Sequence, residues 1–196
     1  MDRFDVTAQD FNKYFEVCKM TYTRHYNSPL GGILLAADET GLTGLWFEWQ
    51  KYFPHDLQAA RMEAETPILA EAARWFDVYF RGEEPDFLPP LHPIGSPFRQ
   101  EVWNILLRIP YGKTVTYGDI ARQLAKKRGL ETLSAQAVGG AVGHNAVSIL
   151  IPCHRVVGTN GSLTGYAGGM DRKIKLLTLE RADMSRLFIP KMGTAL

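Results

Sequence analysis

Residues 83–97 read EEPDFLPPLHPIGSP and contain five prolines and one glycine. Proline fixes the backbone φ angle and lacks an N–H donor, so neither a helix nor a central strand is compatible with this density. We therefore predict an extended linker here. It divides the chain into an N-terminal scaffold domain, residues 1–90, and a C-terminal domain, residues 91–196.

The sequence before the linker predicts an antiparallel sheet with helices. Apolar and β-rich runs separated by turn residues predict a meander of three strands, over residues 20–28, 33–37 and 42–49. A short amphipathic helix is expected at residues 9–20. A longer helix is expected at residues 67–81, with Thr66 as its N-cap.

The pattern after the linker is helical. Predicted helices run from the cap Ser96 to about Arg108, over 117–127 after the cap Thr116, from the cap Ser134 to about Gly143, and over about 171–181. The second and third of these, joined by a short polar loop, are typical of a helix-turn-helix. The predicted fold class is therefore α+β.

The composition excludes several classes of protein. Of the 196 residues, 45% are hydrophobic and 22% are charged, which is inconsistent with a disordered, collagenous or coiled-coil chain. No apolar run reaches the ~20 residues of a membrane helix, and the first residues lack a signal-peptide layout. We expect a cytoplasmic protein without a membrane partner. Cys18 and Cys153 suggest neither a disulfide scaffold nor a metal site, and no cofactor is expected.

Charge divides unequally between the two halves of the chain. Residues 1–96 have 8 Lys+Arg against 15 Asp+Glu, a net of −7, and residues 97–196 have 14 against 6, a net of +8. This asymmetry indicates a polyanion partner for the second half. The acidic half is expected to face away from that partner.

Residues 134–144, SAQAVGGAVGH, form an unusual candidate recognition helix. Glycine inside a helix costs about 0.5–1 kcal/mol relative to alanine, and Gly139 and Gly140 are adjacent here. Two interpretations remain open, namely close packing inside the protein and close approach to a nucleic-acid backbone. A smooth helix with few long polar side chains suits the minor groove better than the major groove.

Residues 149–157, ILIPCHRVV, carry the candidate nucleophile. The apolar run predicts a strand that ends at Pro152 and presents Cys153, His154 and Arg155. Imidazole and guanidinium groups both favour the reactive thiolate. Neighbouring residues of an extended chain point in opposite directions, so Cys153 and His154 need a local turn or a bridging water. An inert buried thiol is the alternative.

These segments together resemble the O6-alkylguanine-DNA alkyltransferases. The resemblance covers about Pro97 to Ala182 and rests on PCHRV at 152–156, AVGGAVGHN at 137–145, GYAGG at 165–169 and LLTLE at 176–180. It implies a ribonuclease-H-like N-terminal domain. It also implies single-turnover transfer of a methyl or alkyl group from O6-alkylguanine in DNA to Cys153. O4-alkylthymine is a further candidate substrate.

The resemblance also implies residue roles. His154 would accept the thiol proton through a water, with Glu180 orienting its ring, and Tyr117 would donate a proton to guanine N3. Asn145 would tie the recognition helix to the active site. Substrate and DNA contacts would come from Gln136, Ala137, Gly140, Arg155, Val156, Tyr166 and Ala167. The partner would be double-stranded DNA, bound as a monomer through the minor groove with little sequence preference, and with the target base flipped out of the stack.

Gln136 departs from the family pattern, which often has arginine there to fill the space left by the flipped base. We expect weaker DNA affinity than in an arginine version, with flipping intact. Two other functions each match part of the sequence. A non-catalytic binder of alkylated DNA would lack the reactive cysteine, and a cysteine hydrolase would not account for the helix-turn-helix or the basic half.

Overall fold

A computed structural model describes residues 20–54 and 61–190. Residues 9–19 of the first predicted helix, and with them Cys18, lie outside the described residues. In the described part of the chain, no helix is long and apolar enough to cross a membrane.

A four-stranded sheet forms the N-terminal region. Strands β1 (Thr21–Ser28), β2 (Gly31–Ala37) and β3 (Leu42–Phe47) pair antiparallel, as the meander prediction required. A short strand β4 (Arg61–Glu63) adds parallel to β1, which gives the order β3-β2-β1-β4. The sequence did not predict β4, because three residues reading RME show no apolar alternation.

Helix α1 (Pro67–Tyr79) packs on this sheet. The Thr66 hydroxyl accepts a hydrogen bond from the Leu69 N–H at 3.2 Å, so the predicted cap is confirmed. The buried face of α1 contacts β1 through Phe76, whose ring centroid lies 5.3 Å from that of Tyr26.

The proline-rich segment lies along the free edge of β3. The Leu42 N–H donates to the Pro90 carbonyl, and the Leu42 carbonyl accepts a hydrogen bond from the His92 N–H, both at 2.8 Å. Apart from this single bridge, residues 83–96 adopt no helix or strand. The linker therefore covers a sheet edge that would otherwise expose unpaired backbone groups.

The C-terminal region is mainly helical, as predicted. It contains α2 (Pro97–Leu106), α3 (Tyr117–Arg128), α4 (Ala135–Gly143) and α5 (Met170–Leu179), together with the short parallel strands β5 (Val115–Thr116) and β6 (Val156–Val157). Thr116 and Asp119 form a reciprocal capping box at the start of α3, and Gly129 ends that helix at φ +66°. Such a box and a left-handed glycine are standard helix start and stop devices.

Helices α3 and α4 form the predicted helix-turn-helix pair. Helix α2 supports it, since the Trp103 indole N–H donates to the Ala141 carbonyl at 3.0 Å. The two regions of the chain also share one hydrophobic core. They join at Leu45, whose N–H donates to the Ala146 carbonyl at 2.7 Å.

Candidate active site

Cys153 lies in a tight loop, and the predicted strand before it is wrong. Ile149 has φ +69°, and the N–H of Ile151 donates back to the Val147 carbonyl at 3.0 Å. The apolar run therefore turns on itself, because a left-handed residue cannot continue a strand. Cys153–Arg155 then form one turn of 3₁₀ helix. This is the local turn that the Cys-His pair was expected to need.

Asn145 holds this loop in place. Its side-chain Nδ2 donates to the Ile151 carbonyl at 2.7 Å and to the Cys153 Sγ at 3.1 Å, and its Oδ1 accepts from the Val147 N–H at 3.1 Å. One buried amide therefore connects the end of α4, the turn and the thiol.

The Cys153 thiol is almost fully buried. Burial raises the pKa of the thiol, while the Asn145 hydrogen bond and the charge of Lys173 act in the opposite direction. The amide donor and the cation therefore keep the pKa of the thiol lower than burial alone would make it, which favours the thiolate.

His154, the residue after Cys153, forms a completely buried pair with Glu180, with Nε2 and Oε1 2.7 Å apart. Burial lowers the pKa of His154, so its ring is neutral near pH 7. Burial would raise the pKa of Glu180, but the hydrogen bonds from His154 and Arg155 hold it far below its usual value. Because the carboxylate is ionised, we assign the proton to Nε2, which leaves Nδ1 as the basic nitrogen. Nδ1 makes no hydrogen bond to any described group.

Arg155, expected from the sequence to contact substrate or DNA, bonds groups inside the protein in this structure. Its Nε and Nη2 donate to the two Glu180 oxygens at 2.8 and 2.9 Å, and its Nη1 donates to the Ile109 carbonyl at 2.6 Å. The short 3₁₀ turn directs the guanidinium toward the end of α5. It is the counter-ion of Glu180.

The Glu180 carboxylate has two further partners that sequence reasoning missed. The Tyr79 hydroxyl, from α1 in the N-terminal region, donates to Oε1 at 2.7 Å, and the Gly112 N–H donates to Oε2 at 3.2 Å. No local sequence signal links Tyr79 to a residue 101 positions away. The N-terminal region thus supports the site directly.

Tyr117, at the start of α3, lies close to the same site. Its hydroxyl donates to the Thr164 carbonyl at 3.4 Å, and burial raises the pKa of Tyr117 to about 12. Its ring faces Gly139 of α4, where an added methyl would lie 3.9 Å away in ordinary contact. Because its pKa is raised, the phenol of Tyr117 is protonated at neutral pH.

Tyr166 and Ala167 line a cavity of about 240 Å³, together with Gly140, Gly143 and His144. Burial raises the pKa of Tyr166 well above its ordinary value, and Cys153 adds to the effect. The Tyr166 ring also lies edge-on to the His154 ring, with ring centroids 6.3 Å apart, so it joins the cavity wall to His154. Lys51 and Tyr52 of the N-terminal region complete the wall, which was not expected of a scaffold facing away from the partner. The Tyr52 ring stacks on His144 at 4.9 Å.

The exposed face of α4 is unusually open. Gln136 and Ala137 are exposed, and a methyl group added at Gly140 or Gly143 would meet no described atom within 4 Å. Internal packing therefore does not account for Gly140. Of the two interpretations left open by the sequence, close approach of an external partner is the one this surface favours.

Val156 is one of the expected substrate contacts, and its carbonyl accepts a hydrogen bond from Lys173 Nζ at 2.6 Å. Sequence reasoning missed this fully buried lysine. The signal was available, since Lys173, Leu176, Leu177 and Glu180 follow the spacing of one helix face.

The comparisons with known proteins agree with this architecture. Residues 21–93 match the ribonuclease-like domain, and residues 97–182 the DNA binding domain, of 6-O-methylguanine DNA methyltransferase. The fold is thus that of a ribonuclease-like domain followed by a DNA-binding domain, as predicted. The chain belongs to the 6-O-methylguanine DNA methyltransferase family.

Similar curated proteins carry the name methylated-DNA–protein-cysteine methyltransferase. That of Mycobacterium leprae is 41% identical over 162 residues, which cover 83% of this chain and 93% of the relative. That of Methanosarcina acetivorans is 43% identical over 159 residues, covering 81% and 97%. The crystal structure of Mycobacterium tuberculosis OGT in complex with DNA has a TM-score of 0.70 and 39% identity, covering 85% of this chain and 94% of that one.

Proposed function

We propose that this protein repairs DNA by moving a methyl or alkyl group from O6 of guanine to Cys153, once per molecule. The observation that carries the proposal is the position of the thiol. The thiol accepts a hydrogen bond from the Asn145 amide and is followed in the chain by His154, which is bonded to Glu180. The Tyr166 ring lies edge-on to the His154 ring and lines a cavity beside the open face of α4. The similar proteins named as methylated-DNA–protein-cysteine methyltransferases support the same reaction.

The chemistry is an in-line displacement. The Cys153 proton passes through a water to Nδ1 of His154, and the resulting thiolate attacks the alkyl carbon. The S–C bond forms as the C–O6 bond breaks, and the electron pair remains on guanine. Tyr117 donates its phenolic proton to guanine N3, so that the leaving base departs neutral. The thioether is stable, and no step regenerates the thiol.

Glu180 supports this step by fixing the imidazole. Its ionised carboxylate accepts a hydrogen bond from the Nε2–H and stabilises the positive charge that His154 acquires. Arg155 and Tyr79 hold the carboxylate in turn. The chain supplies these groups itself, and the proposal involves no metal or cofactor.

DNA binding is assigned to α3 and α4. We place α4 in the minor groove, because Gly140 and Gly143 allow a backbone to approach closely and the helix has few long side chains to read base edges. Affinity then comes mainly from phosphate contacts of the basic C-terminal half, with little sequence preference. The target base leaves the stack to reach Cys153.

We also propose that residues 91–196 form the alkyl-acceptor domain and residues 1–90 its scaffold, in a cytoplasmic monomer. The matches to residues 21–93 and 97–182 meet within the linker and support this division. The scaffold acts on the site through Tyr79, which holds Glu180, and through Lys51 and Tyr52 at the cavity.

Intact mass measurement tests the reaction. The protein is incubated with a duplex oligonucleotide containing O6-methylguanine, and we expect a stoichiometric gain of one methyl group that maps to Cys153. Cys153→Ala should abolish transfer and retain DNA binding. Binding without an adduct would instead identify a non-catalytic damage binder, and repeated turnover would identify a hydrolase.

A further inference from the structure

Lys173 is a fully buried ammonium in the wall of the candidate site. It lies on the inner face of α5, and its Nζ donates to the Val156 and Thr164 carbonyls, both at 2.6 Å. Among the described residues, no carboxylate lies within 4.0 Å of Nζ. Because burying an ammonium without a counter-ion is costly, the position requires an explanation beyond packing.

The charged groups around Lys173 leave one candidate partner. The Glu180 charge is compensated by Arg155, through two hydrogen bonds, and His154 is neutral. On the cavity side, the phenols of Tyr117 and Tyr166 both have raised pKa values and stay protonated. Arg172, next to Lys173 on α5, is directed at the Leu30 and Gly168 carbonyls. Cys153 lies three residues before Val156, whose carbonyl Lys173 binds, and among the described groups it is the remaining acid of the site that can supply a negative charge.

We propose that Lys173 is the resident counter-ion of the Cys153 thiolate and a positioning residue for the pocket wall. When the thiol loses its proton, the anion and the ammonium compensate each other in a site shielded from water. The role rests on the proposed function, in which that thiolate attacks the alkyl carbon.

The mutual effect of the two groups is consistent with this pairing. Burial lowers the pKa of Lys173 to about 8, and the Cys153 charge acts to raise it. In the other direction, burial raises the pKa of Cys153, and the Lys173 charge lowers it. Each group therefore makes the ionised form of the other less unfavourable.

The two hydrogen bonds of Lys173 also organise the pocket. Val156 follows the 3₁₀ turn that carries Cys153, and Thr164 precedes the loop that carries Tyr166. The Thr164 carbonyl accepts the Tyr117 hydroxyl as well, at 3.4 Å. One side chain thus links the nucleophile segment, the cavity loop and the proposed proton donor.

The test measures thiol reactivity without DNA. Wild type, Lys173→Met and Lys173→Gln are labelled with iodoacetamide from pH 6 to pH 10, and the rate at Cys153 is followed by peptide mass spectrometry, which separates it from Cys18. Glutamine retains an N–H donor group but has no charge. We expect both variants to react about tenfold more slowly at pH 7, with the labelling profile displaced upward by about one pH unit.

Lys175→Met is the matched control, since Lys175 is an exposed lysine two positions along the same helix. It should label like wild type. A purely structural role predicts a different pattern, in which Lys173→Gln keeps the wild-type profile and only Lys173→Met changes, through a lower melting temperature. That pattern, or unchanged profiles in both variants, would overturn the counter-ion role. Because no DNA is present, failure of the wild type to repair O6-methylguanine is a separate result.

Discussion

The inner side of the site, around Glu180, and the open face of α4 differ in how fully their groups are contacted by other parts of the protein. On the inner side, both oxygens of Glu180 are bonded, to His154, Arg155, Tyr79 and the Gly112 N–H. On α4, Gly140 and Gly143 face space in which an added methyl would meet no described atom. The Glu180 carboxylate is thus fully bonded within the protein, whereas the α4 face leaves room for a partner.

This difference separates two kinds of mutational effect. A change on the inner side leaves a buried donor, acceptor or charge without its partner, so it lowers stability together with activity. A change on the α4 face breaks no internal contact, so it alters binding while stability stays the same or rises. Substitutions at Glu180, Asn145, Gly140 and Gln136 test that separation.

Glu180→Gln should produce the largest loss of stability. The variant leaves the Arg155 guanidinium buried without its anion, and removal of one partner of a buried ion pair costs about 3–5 kcal/mol. The stability contribution of Glu180 also depends on pH. Because the folded-state pKa of Glu180 is depressed, its contribution is present above about pH 4 and is lost as the pH falls through the folded-state value.

Urea denaturation at pH 7 and at pH 3 measures this effect. Wild type should exceed Glu180→Gln in unfolding free energy at pH 7, and the gap should narrow at pH 3. The exposed Glu39, changed to Gln, serves as the control and should stay within about 0.5 kcal/mol of wild type. A gap that is equal at both pH values would contradict the assigned ionisation of Glu180.

Asn145→Ala should have the next largest effect. It removes a buried amide that bonds the Ile151 carbonyl, the Val147 N–H and the thiol, so we expect a loss of about 1–3 kcal/mol in unfolding free energy. The pKa of Cys153 should rise as well, because the Asn145 hydrogen bond lowers it. Chemical denaturation and iodoacetamide labelling measure the two effects.

Asn104→Ala is the matched control for Asn145, since Asn104 is an exposed asparagine on α2. It should change neither stability nor labelling. If Asn145→Ala also left the labelling profile unchanged, the amide would be a purely structural tie of the loop.

The sequence predicted well what depends on neighbouring residues. The caps Thr66, Ser96, Thr116 and Ser134 all accept the expected backbone N–H, because a cap acts within three residues. Periodicity likewise predicted the five described helices to within two residues at most ends.

Long-range contacts account for most of what the sequence did not predict. The contact of Tyr79 with Glu180 joins residues 101 positions apart, and nothing near either residue indicates it. The apolar run before Cys153 was misinterpreted as a strand because hydrophobicity does not reveal a positive φ at Ile149. The bonds from Arg155 to Glu180 were likewise not predicted, since adjacency in sequence does not give the direction of a side chain.

Gly140→Ala tests the open face of α4 directly. Alanine in a helix is about 0.5–1 kcal/mol more favourable than glycine, and no described atom occupies the space for its methyl, so stability should rise slightly. Affinity for duplex DNA should fall several-fold, because the methyl holds the backbone away. Thermal unfolding and fluorescence anisotropy measure the two changes. Opposite signs support the partner surface, whereas a loss of stability would indicate internal packing at Gly140.

Gln136→Arg should have the smallest effect, and in the opposite direction. Gln136 is exposed at the start of α4 and contacts no described residue through a hydrogen bond or ion pair, so the change leaves stability within about 0.5 kcal/mol. The guanidinium adds one positive charge and a flat stacking surface toward the displaced base. Affinity for duplex DNA should rise several-fold, and the slope of log K against log salt should steepen by about 0.9.

Gln100→Arg adds the same charge on α2 and is the control. Unchanged or lower affinity for Gln136→Arg relative to wild type would show that residue 136 does not face the DNA, which would shift the proposed contact along α4 toward Gly140 and Gly143.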